Sequence, residues 1–418
     1  MPALGGLNPF SAQTSTLQWL DRRLGVPACF VLTMLRRLGE IFTSSAPAAP
    51  IRRILFLKLA EQGSTVLAHE AIGRAVALVG RENVFFLVFE ENRFVLDALG
   101  LIPAANVFTV QTGTPGAMAA SCLRQLREIR RRGIDACIDL EFFARSSAAI
   151  SYLTGARRRV GFHSYFGEGP YRGDLLTHRV LYNSHLHTAQ TFSSLVFALG
   201  ADPAQLPTLD FTPATPTPPP PFQPADGEVA AVQALLAQAG APAGIGLILL
   251  NANASDLLPL RKWKGENYVA LAQTLLRELP GVNIAFTGAP GEAPAAELLC
   301  RAVSSPRCFS LAGKTSLRQL LVLFGLADIL VTNDSGPAHF ATLTPIDVVA
   351  LFGPETPLLF AAPGPRSHPL TAGLACSPCV NAFNNRQSAC RDNRCMTHLT
   401  VEQVFAAVCR IYRQRPRR

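Results

Sequence analysis

The residues best placed to do chemistry stand in one short string, Asp334-Ser335-Gly336-Pro337-Ala338-His339. Asp334 and Ser335 are capping residues, Gly336 is a permissive hinge, and Pro337 suits a first helical turn, so the string predicts a helix from Pro337 to about Leu343. Unpaired amides at such a start, with the positive pole of the helix behind them, make a seat for a phosphate or diphosphate. His339 falls on the first turn, beside that seat. The plainer reading is that Asp334 and Ser335 only cap the helix.

The elements that must hold this string are legible on both sides. Ile329-Leu330-Val331 is too short for a core helix and reads as a buried parallel strand ending at Thr332-Asn333-Asp334. Val348–Phe352 is a second such run, ending in the polar loop Gly353-Pro354-Glu355-Thr356-Pro357. Ile245–Leu250 and Val282–Phe286 extend the pattern upstream, each followed by a helical stretch, the first from about Glu266 to Leu279. The first half repeats the alternation: Ile54–Leu57, Val84–Phe89 and Ala136–Leu140 read as strands, with a helix over Thr65–Val79. Strands separated by helices imply doubly wound parallel sheets, with ligands at the strands' carboxyl ends. Glu61, Ser64, Asp139 and Glu141 are then expected to border one cleft. The Gly313-Lys314-Thr315 turn is not a phosphate loop, since no glycine stands at the required distance upstream.

With 418 residues the chain has room for two ordinary domains and an extra segment. The divisions expected are 1–50, an amphipathic and membrane-interfacial segment; 51–211, an amino-terminal domain; 212–225, a Pro-rich linker; 226–400, a carboxyl-terminal domain; and 401–418, a last helix and basic tail. The linker follows from Thr212–Pro224, whose prolines remove amide donors. The net charge of +9 is gathered in arginine pairs and triplets, which suits anionic lipid heads or phosphorylated sugars as well as a merely solvated surface. No DNA-reading motif is present, so nucleic acid is not an expected partner. Leu17–Phe42 reads as a helix interrupted near Gly25-Val26-Pro27, its apolar core far short of the roughly 20 residues of a membrane span. It is expected to lie on a membrane, or else on the protein's own core. Ser44–Pro50 reads as a joint. The last helix, Thr400–Arg413, is expected to return to the first domain.

Ten cysteines include Cys376, Cys379, Cys390 and Cys395, close enough in sequence for a structural zinc, two disulfides or free thiols. No Asp-x-Asp pair of the kind that holds a metal-bound sugar nucleotide occurs, so catalytic metal is not expected.

DSGPAH between two strands, the second ending in FGPETP, resembles the donor-binding signature of glycosyltransferase family 9, the heptosyltransferases of lipopolysaccharide core synthesis. The likeness extends to ILFLKLAEQGSTVLAHEAI and IDACIDLEFFARSSAAISYLTGARRRVGF in the first half, and to LRKWK and LAGKTSLRQLLVLFGLADILV in the second. It implies the GT-B fold, two Rossmann-like domains facing across a cleft, and inverting transfer of a sugar by single displacement without metal or other cofactor. The donor would be a nucleotide sugar of the ADP-heptose kind, the acceptor lipid A/core or another lipid-linked glycan, and the place the inner face of the cytoplasmic membrane. Asp334, Ser335, Gly336, Pro337 and His339 would then surround the diphosphate. Arg261 and Lys262 would neutralise its charge as the glycosyl bond breaks, and Glu292 would lie near the ribose; a solvated basic loop anchored by Trp263 is the plainer reading of LRKWK.

One residue departs from the family. Its members carry an aspartate base just after the loop glycine, where this chain has Ser64. A serine cannot take a proton from an attacking alcohol unaided, so a group within hydrogen-bond reach must replace it. Glu61 is the first candidate, followed by Glu141, His69 and His163. The alternatives are a catalytically inactive nucleotide-sugar-binding scaffold of the same fold, and a nucleotide-sugar epimerase.

Overall fold

The computed structural model of the protein describes residues 9–42, 50–165, 170–241, 245–254, 258–384 and 386–415. The joint expected over Ser44–Pro50 lies, but for Pro50, outside them, as does the tip of the basic tail. Two compact units emerge: Met1–Pro216 with Ala382–Arg386, and Thr217–Asn381 with Gln387–Arg418.

The first unit is built on six strands: β1 (Ile54–Leu57), β2 (Val84–Phe89), β3 (Val107–Val110), β4 (Ala136–Asp139), β5 (Arg158–His163) and β6 (His178–Leu181). They form one sheet in the order β3-β2-β1-β4-β5-β6, all pairs parallel. All four residues of β1 are fully buried, as expected of a central strand covered on both faces. Phe56, Phe86, Ile138, Val160 and Phe192 join the core on one face, Leu55, Leu87, Cys137 and Ile129 that on the other. The order makes β1 and β4 the neighbours between which the winding reverses. There the connections leave to opposite sides and open a crevice beyond the carboxyl ends.

The second unit repeats this plan with β7 (Gly246–Asn251), β8 (Val282–Phe286), β9 (Cys308–Ser310), β10 (Ile329–Asn333), β11 (Asp347–Phe352) and β12 (Ser367–Thr371). The order β12-β11-β10-β7-β8-β9 is the same topology, with the reversal between β7 and β10, where Thr332 stands opposite Asn251. Ile248, Leu250, Trp263, Tyr268, Ile284 and Val331 are among its core residues.

Four expectations are corrected. The amino-terminal helix runs unbroken from Pro9 to Phe42 with Pro27 inside it; a proline removes one backbone hydrogen bond and bends a helix without having to end it. The stretch Thr65–Val79 is two helices, Gln62–Val66 and His69–Val79, the first beginning after Glu61 in a left-handed conformation at φ 65°. The last helix, Val401–Gln414, packs on Gly265–Glu278 in the second unit through Val404, Val408 and Ile411 instead of returning to the first. Arg415 extends that docking by pairing with Asp347 at 2.9 Å. Finally, Asp139 lines no opening: it is fully buried and ion-paired to Arg172, which also donates to the carbonyls of Ala144 and Phe162.

The Pro-rich stretch has no regular structure through Ala225. Its second half is nonetheless fastened: Phe222 is buried, donates its amide to Leu343 at 2.7 Å and lies under the Arg318 guanidinium.

Candidate functional site

In the second unit, the loops leaving β7, β10 and β11 at the reversal bring together Arg261, Asp334 and Glu355. The Arg261 guanidinium lies 3.6 Å from Asp334 and 3.3 Å from Glu355, both carboxylates being buried. Two buried anions sharing one cation leave that cation fixed in position, with its planar donor fork aimed by the protein. Asn333 sets the surrounding loops. Its side-chain oxygen accepts from the Trp263 amide at 3.0 Å and its amide nitrogen donates to the Asn253 carbonyl at 3.0 Å. Trp263 is buried and donates its indole N–H to Leu399 at 2.8 Å, so the basic loop 261–264 hangs from the core by its aromatic residue.

The helix after Asp334 is short, Gly336–Phe340, and continues as a single 3-10 turn, Ala341–Leu343. So short an element carries little macrodipole. The cations at this place are Arg261, shared by two carboxylates, and Lys262, whose side chain is exposed. His339 is buried on the first turn and Pro337 sits inside it, as the spacing predicts. Ser335 bonds back through its hydroxyl to the Asn333 carbonyl at 3.1 Å. Glu292 caps its own turn, accepting from the Ala289 amide at 2.6 Å, and closes on Gly288, where an added Cβ would stand 2.9 Å from its carboxylate.

In the first unit, the reversal between β1 and β4 holds a fully buried lysine, Lys58, with Glu61 and Glu141 each 3.5 Å from its ammonium. A lone ammonium at this depth would cost several kcal/mol of desolvation, which the two carboxylates offset. Glu141 accepts from the amides of Leu59 at 2.7 Å and Ala60 at 3.1 Å. Burial pushes its carboxyl above the ordinary range; Lys58 opposes that shift, and Glu61 adds to it. Glu61 is the more exposed of the two and is also ion-paired to Arg386. Ser64 donates to the Glu61 carbonyl at 3.0 Å and lies 3.2 Å from its carboxylate, so the serine and its proposed substitute are in direct contact.

The other candidate bases are placed differently. His69 is buried, with Nδ1 3.2 Å from the Val66 carbonyl. His163 packs edge-on against Tyr165, and its pKa is driven down to about 4, first by burial and then by Arg179 and Arg172. Cys376, Cys379, Cys390 and Cys395 are free thiols. The thiol of Cys395 is pushed up to about 11 by burial, with Cys379, Cys390 and Cys376 each adding to the shift. No three His, Cys, Asp or Glu among the described residues stand close enough to hold a metal.

Sequence reasoning missed Lys58, Asn333, Glu355 and Arg386 as parts of these clusters. Lys58 had a signal, a cation directly after an all-apolar strand, and Glu355 had one in its place at the end of β11. Arg386 had none, because its partner lies 325 positions away.

The profile of glycosyltransferase family 9 (heptosyltransferase) matches residues 122–389. Over 102 residues the chain is 33% identical to lipopolysaccharide heptosyltransferase 2 of Salmonella typhimurium, an alignment covering 24% of this chain and 29% of that protein. Lipooligosaccharide heptosyltransferase 2 of Campylobacter jejuni is 32% identical over 103 residues, 24% of this chain and 30% of that one. The matched stretch is thus under a third of these relatives' length. Among solved structures, the ADP-heptose lps heptosyltransferase II of E. coli superposes with a TM-score of 0.65 at 18% identity, covering 87% of this chain and 99% of that one. A glycosyl transferase family 9 protein from Veillonella parvula gives 0.66 at 17%, covering 89% and 100%. An E. coli heptosyltransferase with ADP-2-deoxy-2-fluoro heptose gives 0.57 at 17%, covering 86% and 99%. At such identities the likeness is one of fold.

Proposed function

This chain belongs to glycosyltransferase family 9, and from that premise we propose that it moves a heptose or related sugar from a nucleotide-sugar donor to a lipopolysaccharide or other lipid-linked acceptor. The donor is of the ADP-heptose kind, transfer inverts the anomeric centre in one displacement, and no metal takes part. The enzyme works at the inner face of the cytoplasmic membrane. The observation that carries this reading is Arg261 held between Asp334 and Glu355 at the reversal of the second sheet. A guanidinium fixed there opposes the charge that builds on a departing diphosphate, the largest electrostatic demand of the reaction. Asp334, Ser335, Gly336, Pro337 and His339 shape the seat, Lys262 adds charge, and Glu292 lies toward the ribose.

In the first unit Glu61 takes the acceptor hydroxyl's proton in place of the missing aspartate, with Ser64 bonded to its carboxylate and Lys58 holding both Glu61 and Glu141. Among the described residues Cys376, Cys379, Cys390 and Cys395 do not come together as a metal site, so the structural zinc that their spacing allows is no part of this reading.

The test is release of nucleoside diphosphate from ADP-heptose, with and without a heptose-free lipid A core acceptor, beside calorimetric binding of ADP. Acceptor-dependent release supports the reading. Ser64 favours a second one, a scaffold that keeps the donor seat without the chemistry, and binding of ADP with no turnover on any core acceptor would establish it.

A further inference from the structure

From Asp21 to Arg36 the helix Pro9–Phe42 holds on to its unit along one face. Asp21 accepts from the amides of Arg145 and Ser146, at 3.2 and 2.7 Å, capping the helix Arg145–Leu153. Gly25 lies against the Arg145 side chain, Cys29 is buried among Ala148 and Leu175, and Thr33 accepts from the Asp174 amide at 2.9 Å. Arg36 ion-pairs with Asp174. These contacts recur every three or four residues and so lie along one side.

The opposite side is apolar and open. Leu24, Phe30, Val31, Leu35 and Leu38 are each more than half exposed, and Ile41 is 74% exposed. Arg23 and Arg37 are exposed along the edges of that side, Arg37 also standing 3.6 Å from Asp174. Leaving that many large apolar side chains in contact with water is unfavourable for a monomer unless something covers them. Among the described residues no helix is long and apolar enough to cross a membrane. An apolar face interleaved with arginines, on a helix about 50 Å long, fits a helix lying in the plane of a bilayer, side chains in the acyl boundary and guanidinium groups at the heads.

We infer that the outward face of this helix docks the protein on an anionic lipid bilayer. The occupant is identified by charge and shape together: exposed cations select anionic heads, and a continuous apolar strip needs a surface and not a pocket. This deepens the proposed function by assigning how the enzyme reaches a lipid-linked acceptor. The readout below needs no sugar transfer, so the two can fail separately.

The protein contains two tryptophans, Trp19 at 57% exposure and Trp263 in the core. Trp19 therefore reports on this helix. Adding vesicles of phosphatidylglycerol and phosphatidylethanolamine to the full chain is expected to shift its emission to the blue and to permit quenching by brominated acyl chains. Vesicles of phosphatidylcholine alone should do neither. The double variant Leu35→Glu, Leu38→Glu should partition onto the anionic vesicles at least about tenfold less, its melting temperature little changed because both side chains are more than half exposed. Anionic vesicles that leave Trp19 unchanged, or a double variant that binds them as well as the parent, overturn the inference. So does a dimer in light scattering that the same double substitution disperses, which would mean that a second copy covers the face.

Discussion

Glu61 and Glu141 lean on the same lysine, yet they cannot play the same part. Glu141 spends one oxygen on two backbone amides and is the less exposed, whereas Glu61 faces outward beside Ser64. Glu61→Gln is therefore expected to lower kcat about 10²–10⁴-fold with ADP affinity unchanged, while Glu141→Gln lowers stability more than rate. Steady-state kinetics beside calorimetry decide the matter, and a larger rate loss in Glu141→Gln would move the base to that residue. Arg261→Ala should cut kcat/KM for the donor about 10²–10³-fold, and Arg261→Lys should recover part of it, since an ammonium keeps the charge without the fork. Equal activity in the alanine variant would remove Arg261 from the chemistry.

His163 offers a pH test. Its folded pKa is about 4 against about 6.5 unfolded. Between those values the unfolded chain binds a proton that the folded chain does not, so this group's contribution to stability is lost as pH falls from about 6.5 toward 4. His163→Asn should flatten the loss between pH 7 and 5 by about 1–2 kcal/mol, allowing for the ring's partial exposure. Denaturant midpoints at the two pH values check it, and identical slopes in both proteins would reject it.

At the scale of elements, the docking of the amino-terminal helix depends on Gly173. Its φ is +67°, and an added Cβ would stand 2.5 Å from the Thr33 hydroxyl and 2.7 Å from the Cys29 carbonyl. Gly173→Ala combines backbone strain with a collision against backbone, and should weaken that docking by about 1–3 kcal/mol. Faster amide exchange over residues 21–36, with β7 unaffected, is the expected signature; unchanged protection would show that the helix is held otherwise. The central strands around both reversals could be read from residue types because they are apolar throughout. β5, β6 and β12 could not: Arg158-Arg159, His178-Arg179 and Ser367-His368-Pro369 spoil the pattern. They lie toward the sheet edges, where partial exposure lets polar side chains serve. Strand order was equally hidden, since nothing local in β1 or β10 says which strand lies beside it. The string 334–339 was legible because its chemistry is contiguous, but Glu355, which shares Arg261 with Asp334, meets it only through space.

For the molecule as a whole, the division into units does not follow the chain. Residues 382–386, far toward the carboxyl end, are part of the first unit. Phe383 stacks among Phe143 and Tyr182, with ring centroids 5.5 and 5.3 Å apart, while Arg386 closes on Glu61. A fragment ending at Pro216 would lack all of this. It should melt below the corresponding transition of the whole protein and bind hydrophobic dye where the missing phenylalanine belongs. A synthetic peptide spanning 378–390 should reverse both changes, and a fragment as stable as the parent would show that the borrowed residues are dispensable. The boundary at Pro216 is therefore a poor place to cut: any attempt to express the first unit alone, to swap it between relatives or to fuse it elsewhere must carry along a patch encoded more than 160 positions downstream.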